Sequence, residues 1–398
     1  MGAGKYDFDE LTDRKGTNSV KWNDLKNRFG HEDLLPMWVA DMDFKAPKPV
    51  IDALDARVKH GIYGYTYLED SYYNSIINWY KRRYNWELKK EWFAFTPGVV
   101  PAIMLAIRAF TRPGDGVIVQ SPVYYPFYAS IESNGRHVIN NPLKLVNDRY
   151  EMDFEDLEKK ARDQTAQMMI LCSPHNPIGR VWDKEELRRL GEICNENNIL
   201  VIADEIHSDL RYPGISFTNY ATISEEFAQN SITCTAASKT FNLAGMQISN
   251  IIIPNRKLRQ RYDNIVEATA SPMPNTFAAV AVEAAYNEGE DWLEELREYL
   301  KENLEFLKRY LHENLPEVNV IEPQGTYLVW IDFRKIEPDS ARLEKLMLKD
   351  AKVALDEGYI FRKGGEGFER INIACPRATL VKALDHIARA VKNYKSNL

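Results

Sequence analysis

Between residues 92 and 253, short apolar runs alternate with amphipathic stretches. The runs at 92–95, 117–119, 168–172, 199–203, 232–235 and 248–253 are too short for helices and are bounded by turn residues, so each is predicted as a strand. Residues 199–203 are apolar on both faces, as in a strand buried inside a parallel sheet. Helical periodicity fills the gaps. It covers residues 99–110, a short stretch from Tyr124, and residues 184–197, where Leu187, Leu190 and Ile193 face inward. This alternation predicts an α/β fold, a mostly parallel sheet with helices on both faces.

The flanks read differently. Residues 1–36 are polar and turn-rich, an arm with little core of its own, and 34–44 form an apolar run that ends in acidic residues. Pro47 and Pro49 open a helix to His60, with Val50, Leu54 and Val58 on one face, and a second helix covers 70–83. Beyond the sheet, an Ala-rich helix covers 275–288. A long helix then covers 290–315, with the stripe Trp292, Leu296, Leu300, Leu304, Leu307 and Leu311. Strands at 318–321, 326–333 and 371–375 and helices at 341–349 and 379–392 predict a smaller α+β domain. The expected organisation is an arm that joins part of the small domain (1–45), a large domain (46–288) and a C-terminal small domain (289–398).

Composition narrows the classes. The chain has 398 residues, 44% apolar and 27% charged, with a net charge of −7. That balance argues against a nucleic-acid binder or a basic membrane-surface protein. The cysteines Cys172, Cys194, Cys234 and Cys375 lie in or beside apolar runs without metal-ligand spacing, as buried free thiols do in a reducing compartment. No apolar stretch is long enough to span a bilayer and the first residues lack an apolar signal core, so the expected location is the cytoplasm. The histidines show no ligand spacing, and no metal site is expected.

The candidate chemistry centres on Lys239, set in Ala237-Ser238-Lys239-Thr240-Phe241-Asn242-Leu243-Ala244-Gly245 right after an apolar strand. Small and apolar company desolvates an amine, favours its neutral form and makes it a nucleophile. Alone, it reads more readily as a surface lysine at a strand end. Asp204 ends the strand at 199–203, where open α/β sheets bind ligands, and a charge there needs a partner. Thr96-Pro97-Gly98-Val99-Val100 is a turn into a helix whose free N–H groups favour an anion, and Ser238 could add a hydroxyl. Tyr124 offers a flat ring, and Asn176 an amide from the rigid loop Ser173-Pro174-His175-Asn176-Pro177-Ile178-Gly179. Arg377 follows an apolar strand and Pro376, and a guanidinium suits an α-carboxylate. Lysine, ring carboxylate, phosphate cradle, stacking ring and carboxylate clamp are what pyridoxal 5'-phosphate (PLP) chemistry requires.

In this order the motifs resemble fold-type I PLP enzymes of the class I/II aminotransferase family. Several details resemble one branch, the MalY/PatB-type cystathionine β-lyases and cysteine desulfhydrases. These are Met37-Trp38-Val39-Ala40-Asp41-Met42-Asp43-Phe44, Gly64-Tyr65, Pro122-Val123-Tyr124-Tyr125-Pro126-Phe127, Asp204-Glu205-Ile206-His207-Ser208-Asp209 and the Lys239 segment. The resemblance implies a seven-stranded, mostly parallel sheet in the large domain. It implies that Lys239 forms the Schiff base and acts as acid and base, that Asp204 pairs the ring nitrogen, and that Asn176 meets the phenolate oxygen while Tyr124 stacks. Gly98, Val99, Val100 and Ser238 would hold the phosphate, and Tyr65 would reach the phosphate of the neighbouring subunit in a homodimer. Arg377 and the backbone at Ala40 would hold the substrate carboxylate, with Tyr125 nearby.

Two positions depart from the aminotransferase pattern as the resemblance implies it. His207 stands where many aminotransferases have a tyrosine, and Gln247 where they have a phosphate-binding arginine. Both point to a carbon–sulfur β-lyase of the cystathionine β-lyase type, with His207 beside the cofactor. That enzyme would cleave cystathionine, cysteine or related S-conjugates to pyruvate, ammonia and a thiol. Two alternatives stand beside it: an aminotransferase, and a regulator that binds a transcription factor, for which the chain shows no DNA-binding module.

Overall fold

The computed structural model describes residues 5–269 and 273–397. Strands β1 (Phe93–Thr96), β2 (Gly116–Val119), β3 (His137–Asn140), β4 (Ala166–Cys172), β5 (Leu200–Asp204), β6 (Ser231–Thr235) and β7 (Ser249–Ile252) form one seven-stranded sheet, ordered β1-β7-β6-β5-β4-β2-β3. Only β7 runs against its neighbours, and the other pairs are parallel. The expected strands are all present, with ends moved by one or two residues. The edge strand β3 was not expected. Only Ile139 of its four residues is buried and its ends are His137 and Asn140, so it lacks the continuous apolar signal of the interior.

Helices cover both faces of this sheet. On one side lie α3 (Val99–Phe110), through Val99, Ile103 and Ile107, and α5 (Arg256–Ala268), through Tyr262 and Val266. Elsewhere α4 (Lys184–Glu196) buries Leu187 and Leu190, and it starts at a capping box in which Asp183 and Glu186 satisfy each other's backbone N–H. Helices α1 (Lys48–His60), α2 (Asp70–Tyr84) and α6 (Thr276–Glu288) pack together beside the sheet. The long helix α7 (Glu290–Asn314) buries its predicted leucine stripe, each leucine worth about 2 kcal/mol of apolar burial. It stops before Pro316, which cannot continue a helix.

A second sheet, wholly antiparallel, joins β8 (Asn319–Val320), β9 (Leu328–Asp332), β10 (Asp356–Glu357) and β11 (Phe368–Asn372) in the order β8-β9-β11-β10. Helix α8 (Arg377–Ser396) follows it. The sequence pattern had placed the last strand at 371–375. It lies three residues earlier, because the charged pair Glu369 and Arg370 is buried inside it and breaks the apolar run.

The N-terminal arm is anchored more firmly than its composition predicts. Leu35–Pro36 pairs in parallel with Val353–Ala354 beside the second sheet. Phe8 is buried against Phe44, Trp292 and Tyr299. Lys21 is fully buried, its Nζ 2.7 Å from Asp43 Oδ2, and Arg14 bonds both Asp41 and Asp43. A polar segment gives no apolar signal when its core contacts are ion pairs with residues further along the chain.

Candidate active site

Three adjacent parallel strands end side by side, with Cys172 opposite Asp204 and Asp204 opposite Cys234. The loop after β4 carries Asn176, the end of β5 carries Asp204 and His207, and the single helical turn after β6 (Ala237–Thr240) carries Ser238 and Lys239. The loop after β1 delivers Gly98 and the start of α3, and the loop after β2 delivers Tyr124. Together with Ala40 and Gln247, these residues line one cavity of about 190 Å³. It lies at the carboxyl ends of the parallel strands, where such sheets bind ligands.

Each side chain has a local reason for its place. Gly179 closes the Asn176 loop at φ +69, and a Cβ there would come within 2.5 Å of Pro323. Asn176 Oδ1 accepts from Arg370 Nη1 at 2.9 Å, which leaves its amide N–H groups as the donors for the cavity. Thr96 Oγ1 donates to the Gly98 carbonyl and fixes the turn into α3. Within α3, the Ala102 N–H bonds back to Gly98 and Pro101 has no N–H, so the open first-turn donors are those of Val99 and Val100.

The charged groups are strongly perturbed. Burial pushes the Asp204 carboxyl up to about 7, and only an N–H from Ile206 and the charge on Lys239 oppose it. Burial also pushes Lys239 down to about 8, with Arg370 adding to the effect and Asp41 and Asp204 opposing it. The Lys239 Nζ donates to the Ala40 carbonyl at 2.7 Å, and the Tyr327 hydroxyl donates to the same oxygen at 2.9 Å. His207 is held neutral, pushed down to about 3 by burial and by the charges of Lys239 and Arg370, and its buried Nδ1 has no partner.

These features fit PLP. Asp204 is a buried carboxylate without a cation in contact, as a pyridinium nitrogen requires. The amide of Asn176 and the orphaned His207 ring face the same space, and the open end of α3 suits a phosphate.

Three predicted residues stand outside the cavity. Arg377 is the clearest correction. It opens α8, its Nε donates to Asn303 Oδ1 at 2.6 Å, and its guanidinium stacks on Phe306. It lies in a separate surface groove with Glu298, Glu302 and Glu305, so it cannot meet a ligand held at Lys239. Tyr65 is 96% exposed on a loop and touches nothing in its own cavity. Tyr125 sits one layer back, its ring edge-on to Phe361.

On the opposite side Ala40 lines the cavity as expected, but the side chains that support it were not among the expected site residues. Arg370, in the middle of β11, is buried and reaches Asn176, the Trp38 carbonyl (2.7 Å) and Asp356. Asn372 Nδ2 donates to the carbonyls of Val39 and Asp41, both at 2.6 Å. Asn242 accepts from the Met42 N–H and donates to the carbonyls of Met42 and Phe44. Residues 37–44 thus form a strap pinned across the cavity. The available signal was the charged pair Glu369 and Arg370 just before the apolar run at 371–375, since a buried guanidinium demands acceptors.

The comparisons agree with this geometry. The model of the family described as "Aminotransferase class I and II" matches residues 32–387. Cystathionine beta-lyase PatB of Bacillus subtilis is 45% identical over 96% of this chain and 99% of that protein. Protein MalY of Escherichia coli is 33% identical over 97% and 99%. The crystal structure of cystalysin from Treponema denticola, which contains pyridoxal 5'-phosphate, is 40% identical. It covers 98% of this chain and 99% of its own, with a TM-score of 0.95.

Proposed function

Because this chain belongs to the class I and II aminotransferase family, with the fold-type I architecture, we propose that it is a PLP-dependent carbon–sulfur β-lyase. Its substrates are cystathionine, cysteine or related cysteine S-conjugates, and its products are pyruvate, ammonia and a thiol. One observation carries this: Lys239, Asp204 and Asn176 end three adjacent strands and meet the open N-terminus of α3 in one cavity.

When bound, PLP supplies a sink for the electron pair left at the substrate Cα. Lys239 is the group that holds the cofactor, with Asp204 at its ring nitrogen, Asn176 and His207 at its oxygen, and Tyr124 against its face. Ser238 and the N–H groups of Gly98, Val99 and Val100 hold the phosphate, and Gln247 lines the same end. Once the substrate amine has displaced it, the Lys239 amine, whose neutral form is accessible near pH 8, would take the Cα proton. The Cβ–S bond then breaks with its electrons leaving on sulfur, and water completes the release of pyruvate and ammonia. The substrate carboxylate goes to Arg370, beside the backbone at Ala40 and with Tyr125 behind, in place of the displaced Arg377.

The same proposal includes a homodimer in which Tyr65 serves the neighbouring site. Its support is the exposed loop carrying Ile62, Tyr63, Tyr65 and Tyr67, an apolar surface that a partner would cover. The division at residues 45 and 288 belongs to it as well, supported by the pairing of Leu35–Pro36 with Val353–Ala354. Four buried free cysteines support a cytoplasmic location.

The test is to measure pyruvate, ammonia and thiol from cystathionine, cysteine and S-alkyl cysteines, with and without 2-oxoglutarate. Product release without the oxo acid is the expected result. Strict dependence on it overturns the lyase and leaves the aminotransferase.

A further inference from the structure

Arg370 and Asp356 are direct cross-strand partners on β11 and β10, so the sheet register itself sets them side by side. Both are buried, with 2% and 1% of their surface exposed. Asp356 Oδ2 and the Trp38 carbonyl take the two hydrogens of Arg370 Nη2, and Asn176 takes one from Nη1. The second Nη1 hydrogen is left for another anion, and the unpartnered Nε–H points from a different edge of the guanidinium. The chain after Asp356 cannot drift, because a Cβ on Gly358 would come 2.0 Å from the Gly365 carbonyl. A buried ion pair of this kind contributes little net stability, since desolvation offsets its attraction. What it does supply is a fixed orientation for the planar guanidinium.

We propose that Asp356 is a positioning residue for substrate selection: it locks the Arg370 guanidinium so that its free Nη1 hydrogen meets the α-carboxylate of the amino-acid substrate. This rests on the assignment of Arg370 to that carboxylate. Without Asp356, the guanidinium turns about its Cδ–Nε bond and the carboxylate loses its aligned partner. Binding of a carboxylate-bearing substrate suffers, while an analogue whose carboxylate is replaced by a carboxamide is indifferent.

The experiment uses the holoenzyme with a cysteine S-conjugate and its α-carboxamide, in Asp356→Ala, Asp356→Asn, Asp356→Glu and Arg370→Lys. In Asp356→Ala, KM for the acid rises about tenfold or more with kcat within about threefold, and KM for the carboxamide is unchanged. Asp356→Asn keeps an acceptor oxygen and restores most of the loss. Asp356→Glu keeps the charge but pushes the guanidinium by one methylene, so it reproduces the acid-specific rise and is the variant to read if Asp356→Ala does not accumulate. Equal rises in KM for acid and carboxamide, or no rise in Asp356→Glu, overturn the proposal. Arg370→Lys separates the two layers. If it leaves the preference for acid over carboxamide intact, the clamp assignment itself falls. If it abolishes the preference and the Asp356 variants do not, only the role of Asp356 falls.

Discussion

The cavity has two walls built on different principles. The wall on the large sheet comes from short loops at strand ends, so each functional side chain sits within a few residues of the strand that places it. The opposite wall is the strap at 37–44, held by Asn242, Arg370 and Asn372 across separations of 200 to 333 residues. The first wall carries the perturbed ionisable groups, Asp204 and Lys239. The second is held by hydrogen bonds and ion pairs. Chemistry sits where local backbone geometry is stiff, and its boundary is supplied by residues that only the finished fold brings together.

Variants on the two walls should therefore fail differently. Lys239→Ala removes the reacting amine and should cut pyruvate release at least about 10³-fold, with unfolding by urea little changed. Equal pyruvate release by mutant and wild type would end the assignment. Asp43→Asn strikes the strap alone. It leaves Lys21 buried beside a neutral group, and the free energy of unfolding should fall by about 3–5 kcal/mol in urea titrations. A loss under about 1 kcal/mol would mean that the arm is a loose appendage after all. Arg370→Ala should lower kcat/KM about 100-fold, chiefly through KM.

A smaller effect comes from pH. Asp204, at about 7 against an ordinary 3.8, binds its proton more tightly in the folded cofactor-free protein than in the unfolded chain. Asp204 should make stability fall as pH rises from about 4 to about 7, by up to about 1.4 kcal/mol per pH unit, and Asp204→Asn should remove that share of the slope while Glu205, pushed up to about 8 by burial, keeps its own. Lys239 acts in another window. Its depressed value makes stability recover as pH rises from about 8 toward 10.5. The smallest change belongs to Arg377→Ala, where turnover should stay within about twofold because the side chain lies outside the cavity. A loss comparable to that of Arg370→Ala would return the clamp to Arg377.

Legibility followed the same division. Strands β4, β5 and β6 announce themselves as continuous apolar runs, and the residues just after them mark the chemical wall. Asn176, Asp204 and Lys239 could therefore be named from sequence. Arg370 could not, because Glu369 and Arg370 interrupt the apolar pattern of β11 and moved the expected strand end to Cys375, which made Arg377 look like its terminus. Asn242 was part of the lysine motif, but its partners, the backbone groups of Met42 and Phe44, have no signature in sequence. Lys21 lies in the polar arm, and its partner Asp43 is brought to it only by the fold.

The strap also bears on the order in which the molecule is made. Residues 37–44 are synthesised early, yet Asn372, which holds two of their carbonyls, follows 331 to 333 residues later. Closing so long a loop costs little more than closing a short one, since each doubling of its length adds only about 0.6 kcal/mol. The delay is one of timing, not of energy. Nascent chains that end before Phe368 should therefore be cut by protease within 37–44, and chains extended through Asn372 should resist. The arrival of Arg370 and Asn372 then acts as the latch that turns an open groove into a walled chamber.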